Sequence, residues 1–297
     1  DPREVDLLAS HGQTIYHAPA SLHQQPGFGN ATLQIGDGDH LAVATGIITI
    51  SDFRQKHIAA GGEGAPLAVY GDHILFGSDT ENRILLNIGG IANFTFLPAG
   101  RNVSGIFSTD TGPGNTLMDA YMRLHFGGRP FDENGAVAGA GKVNDILLNE
   151  LKQHAFFHQP FPKTTGPELF SLTYLADAQK RSGTENIGTG DVMATLNRFT
   201  TETICEAINK AAAGLQDICI YASGGGIHNP VLVDHLKSQL TQCRFDTTER
   251  MQINPDAKEA VLFALLANEC VSGNNSTWGK GPAGMPAVSM GKISFPE

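Results

Sequence analysis

The hydrophobic and polar positions along the chain follow two different periods. Short β-branched or apolar runs followed by glycine predict strands at 84–86 and 218–222. Apolar residues at helical spacing predict long helices over 135–157 and 191–213. The stretch 254–273 predicts a helix that is apolar almost all round and therefore buried. Strands with interleaved helices, then helices, then a strand–glycine loop–helix unit predict an α/β protein with two lobes.

Composition narrows the class of protein. The chain has 297 residues, enough for two cores, and a formal net charge of −10, which argues against nucleic acid as a partner. Its four cysteines are far apart and form no CxxC pair, which predicts free thiols in a reducing compartment. We find no signal peptide and no apolar run of membrane-spanning length, so we expect a soluble, cytoplasmic protein with no membrane partner.

Several catalytic signatures are absent from the sequence. It contains no G-x-x-x-x-G-K-[ST] loop, which excludes a P-loop NTPase, and no G-x-S-x-G element of serine hydrolases. The histidines show no zinc-ligand spacing. The metal ligands, if there are any, are left unassigned.

Two glycine-rich segments lie close together at the centre of the chain. Asn87-Ile88-Gly89-Gly90-Ile91-Ala92-Asn93 follows one apolar strand, and Asp110-Thr111-Gly112-Pro113-Gly114-Asn115 follows a second apolar run and precedes a helix. Glycine lets backbone amides approach an anion, and a helix N-terminus adds partial positive charge. We interpret the pair as a phosphate-handling centre. The alternative is two ordinary turns, which the glycines alone fit equally well.

Asp110 is the best single candidate for catalysis. It follows a strand, precedes a glycine turn and is predicted to face a helix N-terminus, where the dipole would keep it ionised as a general base requires. The alternative is a turn aspartate that bonds its own backbone, and spacing alone favours that alternative. Asp119, one turn into the helix, is either an auxiliary group or part of a solvated face.

Weaker candidates lie outside the central stretch. Ser223-Gly224-Gly225-Gly226 follows a buried strand and could approach a nucleotide, although a glycine triplet is a weak signal. Glu259 lies in the apolar helix, where a carboxylate needs a partner, a metal or a cleft edge; the helix dipole explains it equally well. Asp52 and Arg54 follow a predicted strand and are either substrate contacts or a surface ion pair.

Taken together, the motifs resemble those of the anhydro-N-acetylmuramic acid kinase family, which belongs to the actin, hexokinase and chaperone-ATPase superfamily. The resemblance implies an actin-like fold of two α/β lobes with the active site in the cleft between them. We place the first lobe at 1–83 plus 275–297 and the second at 84–274. The motifs that carry the resemblance are His11-Gly12-Gln13-Thr14, Thr32 to Asp37, Asp52-Phe53-Arg54, Gly61 to Leu67, Asn87 to Asn93, Asp110 to Asn115, Lys163-Thr164-Thr165-Gly166 and Ser223 to Pro230.

The resemblance also implies a reaction and a set of site residues. Family members use ATP and Mg²⁺ to phosphorylate 1,6-anhydro-N-acetylmuramic acid while its anhydro ring is hydrolysed, and the family suggests a homodimer. By resemblance Asp110 is the catalytic base that activates water. The expected nucleotide and phosphate residues are Asn87, Gly89, Gly90, Asn93, Gly112, Gly114, Asn115, Gly224, Gly225, Gly226 and Glu259. The expected sugar residues are His11, Gln13, Asp52, Arg54 and Gly64.

One family motif has no counterpart. The family opens with a first phosphate loop rich in glycine and serine, and the chain begins at Asp1 after the place where that loop is expected. We therefore expect a fragment or a truncated homologue. Two alternatives to the kinase follow: an impaired homologue that binds a sugar or a partner protein, and a kinase of another amino sugar.

Overall fold

A computed structural model describes residues 2–65, 67–247, 257–273, 286 and 288–297. The chain divides into two compact units. Unit 1 comprises Asp1–Gly77, Gly100–Ile106 and Asp256–Glu297, and unit 2 comprises Ser78–Ala99 and Phe107–Pro255. Each unit contains both strands and helices, which confirms the predicted α/β class.

Ten strands and twelve α-helices are formed by the described residues. The strands are β1 (Leu8–Ala9), β2 (Gln13–Ala18), β3 (Ala31–Ile35), β4 (Thr49–Ser51), β5 (Asn82–Ile88), β6 (Ile91–Leu97), β7 (Phe107–Pro113), β8 (Ile218–Ser223), β9 (Cys243–Thr247) and β10 (Lys292–Ser294). The helices are α1 (Ala20–His23), α2 (Gly38–Thr45), α3 (Phe53–Ala59), α4 (Ala68–Phe76), α5 (Thr116–His125), α6 (Ala136–Ala140), α7 (Asp145–Leu151), α8 (Ala155–His158), α9 (Leu172–Ser182), α10 (Thr189–Ala211), α11 (Pro230–Gln239) and α12 (Lys258–Ser272).

Unit 1 is built on two small sheets. In the first, β4 pairs in parallel with β1 and antiparallel with β10. In the second, β2 and β3 form an antiparallel hairpin. Helix α12 covers the core beside β4, where Phe263 and Leu266 pack with Ile50, Phe53 and Tyr70. This apolar packing holds the three-stranded sheet together.

The placement of α12 differs from the sequence-based division, which assigned 84–274 to the second lobe. The helix belongs to unit 1, because Leu262, Phe263 and Leu266 bury their side chains in that unit's core. Glu259, near its start, is exposed, so the helix is buried on one side only. The first residues of the helix predicted over 254–273, at 254–256, and the predicted first-lobe segment from 275 to 285 lie outside the described residues.

Unit 2 is organised around one five-stranded sheet in the order β7-β6-β5-β8-β9. The first three strands are antiparallel neighbours, and β8 and β9 continue the sheet in parallel. The core contains buried residues of α5, α7, α9, α10 and α11 together with the sheet. Because β7 is the edge strand, its free side is open to other segments of the chain.

The predicted elements of unit 2 are only partly correct. The long helix at 191–213 is confirmed as α10 and the strand at 218–222 as β8. The single helix predicted over 135–157 is wrong: the structure has α6, α7 and α8. Gly141 ends α6, and a Cβ there would overlap Gly190, so the chain must turn away. No helix within the described residues is long and apolar enough to cross a membrane.

Candidate active site

The hairpin turn between β5 and β6 is held by the loop that leads into α5. The Gly90 carbonyl accepts hydrogen bonds from the amides of Gly114 (2.8 Å) and Thr116 (3.1 Å), and the Gly89 carbonyl accepts one from the amide of Asn115 (2.8 Å). A Cβ on Gly114 would overlap the Gly89 carbonyl oxygen, so this position requires glycine. The two glycine-rich segments are therefore one structure.

This contact decides which amides remain for a ligand. The amides of Gly114, Asn115 and Thr116, which lead into α5, are used by the hairpin turn, so these three do not remain for an anion. The amides of Gly89 and Gly90 donate no hydrogen bond within the described part of the chain. Gly90 is exposed and Gly89 half-buried, which leaves two amide donors at an accessible turn.

The third glycine segment packs on the end of β5. Gly224 has a φ of +85°, and a Cβ there would lie 2.6 Å from Asn87 Oδ1. A Cβ on Gly226 would overlap the Ile88 side chain. Gly225 is exposed beside the Asn115 amide group. The structure thus brings together the segments 87–93, 112–115 and 223–226.

Four polar residues lie in one row across the sheet. Asp110 is paired with Asn93, Asn93 with Asn87, and Asn87 with Ser223. Directly paired residues share one face of a sheet, so their side chains are neighbours. The register shifts between Ala92 and Asn93, where the β7 strand contains one extra residue. Such bulges commonly re-aim a side chain near a site.

Asp110 is positioned by a distant loop. Its backbone amide donates to the Lys163 carbonyl (2.9 Å), and its Oδ2 accepts from the Thr165 amide (2.7 Å). Its Oδ1 makes no hydrogen bond within the described residues. The sequence placed Asp110 before a turn, whereas it lies inside β7; the alternative of an aspartate that bonds its own turn is wrong.

Burial, more than any dipole, governs the acidity of Asp110. Loss of solvent raises the pKa of this carboxyl above its usual range, while the Thr165 amide and the Lys163 charge act in the opposite direction. A raised pKa makes the carboxylate a better proton acceptor when it is ionised. The arrangement can support general-base chemistry.

In unit 1, Arg54 contacts two of the other predicted sugar residues, His11 and Gly64. Its Nε donates to His11 Nε2 (2.9 Å) and its Nη1 donates to the Gly64 carbonyl (2.8 Å). His11 must therefore be neutral and protonated on Nδ1, which contacts the Gly12 carbonyl (2.8 Å). Burial lowers the pKa of Arg54, and the charge of Glu259 raises it. His11, Arg54, Gly64 and Glu259 thus form one electrostatic group.

The remaining sugar-side candidates lie elsewhere in unit 1. Gln13 is exposed, and its amide donates to the Thr14 carbonyl (3.3 Å). Asp52 has a left-handed backbone (φ 54°) at the start of α3. It lines a cavity of about 580 Å³ together with Lys56 and Lys292, whereas His11 and Arg54 are not among the residues that line it.

Sequence patterns assigned no role to three residues that the structure places at these groups, namely Lys163, Thr165 and His57. Lys163 and Thr165 contact Asp110, from which they are separated by more than fifty positions, so no local pattern could connect them. His57 is fully buried, and its Nδ1 accepts from the Gly64 amide (2.9 Å). The sequence motif nearest to His57 is the glycine-rich run from Gly61 to Leu67, which includes Gly64.

Within the described residues, no three or more His, Cys, Asp and Glu side chains are grouped to hold a metal ion. A Mg²⁺ that enters with nucleotide phosphates needs only one or two carboxylates from the protein, so the finding is compatible with such an ion.

Accessible glycine amides on the same sheet as a half-buried, partly free carboxylate are typical of phosphotransferases that act on small molecules. The whole-chain comparisons agree with that class. The family model "Anhydro-N-acetylmuramic acid kinase" matches residues 1–296. A protein of that name from Pseudoalteromonas atlantica is 58% identical over 99% of this chain and 74% of its own length. Another, from Caldanaerobacter subterraneus, is 41% identical over 99% of this chain and 75% of its own length.

The chain belongs to the anhydro-N-acetylmuramic acid kinase family. It is a phosphotransferase of a family that uses ATP. Among solved structures, the activator of a 2-hydroxyisocaproyl-CoA dehydratase from Clostridium difficile matches 74% of this chain and 66% of its own, with 13% identity and a TM-score of 0.38. That likeness is too low to support a functional statement.

Proposed function

We propose that this chain converts 1,6-anhydro-N-acetylmuramic acid, ATP and water into N-acetylmuramic acid 6-phosphate and ADP. The observation that carries the proposal is the position of Asp110: one carboxylate oxygen is held by the Thr165 amide and the other is left without a partner among the described residues. The residue lies in a polar row that leads to the glycine turn.

Asp110 takes a proton from water through Oδ1. The water oxygen bonds to the anomeric carbon, and the bond from that carbon to O6 breaks. The electron pair left on O6 forms the new bond to the γ-phosphorus, and ADP leaves. Phosphoryl transfer depends mainly on positioning and charge neutralisation, so the base supplies the part that the hydrolysis requires.

The phosphates are assigned to the turn that connects β5 and β6. The free backbone amides of Gly89 and Gly90 can donate to phosphate oxygens. Asn87 and Asn93, two half-buried members of the polar row, offer side-chain amides at the same hairpin. Gly114 and Asn115 hold the turn in place, and Gly112 is paired with Ala92 in the adjoining ladder. The exposed Gly225, between Gly224 and Gly226, is assigned to the adenosine side.

The sugar is assigned to unit 1. Arg54 presents a guanidinium whose Nε and Nη1 are fixed by His11 and Gly64. A fixed guanidinium suits a carboxylate, and the lactyl group of the sugar carries one. Gln13 and Asp52 complete the proposed set; Gln13 is exposed, and Asp52 lines its cavity.

Mg²⁺ is the proposed metal, and Glu259 is the residue that would hold it. This carboxylate is exposed and makes no hydrogen bond within the described residues, and carboxylate oxygen is the ligand type that Mg²⁺ prefers. When bound, the ion neutralises charge on the transferring phosphoryl group.

A homodimer and a cytoplasmic location are part of the proposal. Side chains of the β2–β3 hairpin support an association, because Ile15, Tyr16, Leu33 and Ile35 are exposed apolar groups. The four cysteines are free thiols, as a reducing compartment favours. Sedimentation velocity over a range of concentrations measures the association; a monomer throughout would contradict the dimer.

The activity is tested with purified protein, ATP, Mg²⁺ and the anhydro sugar, by mass spectrometry of the product. Because the chain spans 74% of a close relative's length, the assay uses both the printed chain and a form extended to that length. We expect a product that has gained both water and a phosphoryl group. 1,6-Anhydro-N-acetylglucosamine and N-acetylmannosamine serve as competing substrates. No turnover of the anhydromuramic sugar by the extended form would overturn the proposal.

A further inference from the structure

The loop around Lys163 forms hydrogen bonds with the edge strand β7. The Lys163 amide donates to Thr109 Oγ1 (3.0 Å), and the Lys163 carbonyl accepts from the Asp110 amide (2.9 Å). Two residues later, the Thr165 amide donates to Asp110 Oδ2 (2.7 Å). Three hydrogen bonds from residues 163–165 thus attach this loop to Thr109 and Asp110 of the strand.

The Lys163 side chain is buried and held in one place. Only 8% of the residue is exposed. Its Nζ donates to the carbonyls of Phe156 (2.9 Å) and Phe157 (3.3 Å), and it lies 4.2 Å from the centre of the Phe156 ring. Two further rings, those of Phe157 and Phe161, lie within 6 Å. Carbonyl oxygens and ring faces both attract a cation, so these contacts hold the ammonium at a fixed position.

We propose that Lys163 is a positioning residue that orients Asp110 through its backbone and keeps the Asp110 carboxylate ionised through its buried ammonium. The inference rests on the proposed role of Asp110 as base. It gives a function to a buried lysine that forms no ion pair within the described residues. A buried ammonium is no more stabilising than an apolar side chain that fills the same space, so stability alone does not account for a lysine at this position.

The electrostatics agree with this geometry. The charged groups that act on Lys163 are Lys210 and Glu206 on α10 and Asp110 on β7. Burial and Lys210 lower the pKa of Lys163, while Glu206 and Asp110 raise it. Among charged side chains of the described residues, Lys163 is the one that lowers the pKa of Asp110.

The test compares Lys163→Met, Lys163→Gln and Lys163→Arg with a matched control, Lys210→Met. Met keeps the apolar stem, Gln keeps donors for the two carbonyls, and Arg keeps the charge. Lys210 on α10 is exposed and contacts the ring of Phe161, one of the rings near Lys163. Lys210→Met therefore removes a nearby cation that does not act on Asp110.

The Asp110 carboxyl is followed by ¹³C NMR titration without substrate, assigned by comparison with Asp110→Asn. We expect Lys163→Met and Lys163→Gln to titrate at least ~0.5 pH unit higher than the unmodified protein, because a nearby cation favours the carboxylate. Lys163→Arg and Lys210→Met should stay within ~0.2 pH unit. An unchanged titration in both neutral variants would overturn the inference.

The kinetic arm uses the pH dependence of kcat. Its acidic limb should shift upward in the neutral variants in the same direction as the NMR titration, with Lys163→Arg restoring it. The NMR result needs no turnover, so an inactive protein would contradict the proposed function while leaving the inference tested. A fall in kcat with an unshifted acidic limb would show that Lys163 is only structural.

Discussion

Asn93 and Asp110 are directly opposite each other in the ladder between β6 and β7, next to the register shift. Thr111 is the extra residue on the bulged strand, and its hydroxyl donates to the Ala92 carbonyl (3.1 Å). The pairing sets the candidate base on the same face of the sheet as the side chains of Asn93 and Asn87. Each candidate role can be tested by a single substitution.

Asp110→Asn should abolish turnover. The amide keeps the size of the side chain but cannot take a proton from water, and a general base contributes about 10²–10⁴-fold to rate. ATP affinity, measured by calorimetry, should stay within about twofold, since the change adds no bulk. Asp145→Asn, an exposed carboxylate at the start of α7, is the control. Full activity in Asp110→Asn would show that another group is the base.

Gly114→Ala should weaken ATP binding. The new methyl group overlaps the Gly89 carbonyl, so the hairpin turn must move, and overpacking of this kind costs about 1–3 kcal/mol. The loss should appear in the dissociation constant for ATP and in the thermal midpoint. Gly190→Ala is the matched control, because its Cβ meets only the Gly141 Cα at 4.0 Å. Equal effects of the two variants would contradict the prediction.

Arg54→Lys should raise KM for the sugar roughly tenfold, which is about 1.4 kcal/mol. Lysine lacks the planar fork that contacts both His11 and Gly64, so the charge would remain without its fixed direction. KM for ATP should be nearly unchanged. Arg129→Lys, exposed in unit 2, serves as the comparison. An unaltered KM for the sugar would remove Arg54 from the sugar site.

Stability should fall as the pH drops below about 6.5, the usual pKa of histidine in an unfolded chain. Burial lowers the pKa of His17, His57 and His73 in unit 1. The unfolded chain therefore binds protons first, and the stability present above pH 6.5 is lost as the pH falls through the folded values. Thermal midpoints from pH 7.5 to 5 measure this loss.

His57→Gln should make that pH dependence shallower. Its side-chain oxygen can still accept from the Gly64 amide, but it does not titrate. His40→Gln, an exposed change in the same unit, should leave the slope as it is. The same slope in all three proteins would show that His57 does not contribute.

Long elements with one strong period were predictable. α10 is amphipathic over 23 residues, and β8 is a buried apolar strand; local patterns of this kind specify an element before packing is known. Asn229 followed by Pro230 before an apolar run predicts a helix N-cap, and Asn229 is the N-cap of α11, where its side chain accepts from the Leu232 amide. Predictions fail where the pattern is short or mixed. The run from Val5 to Ala9 predicts a core strand, but Val5 is exposed and β1 begins at Leu8.

The sequence by itself determined the α/β class, the family motifs and the residue types available for chemistry, because those depend on local periodicity and on identity along the chain. Tertiary structure decided which of these groups meet. It used the amides of Gly114, Asn115 and Thr116 for the Gly89–Gly90 turn, left the turn's own amides without a partner in the described part of the chain, and joined Asp110 to Lys163 and Thr165. Hydrogen bonds between segments far apart in sequence leave no periodic trace, so only the folded chain could show them.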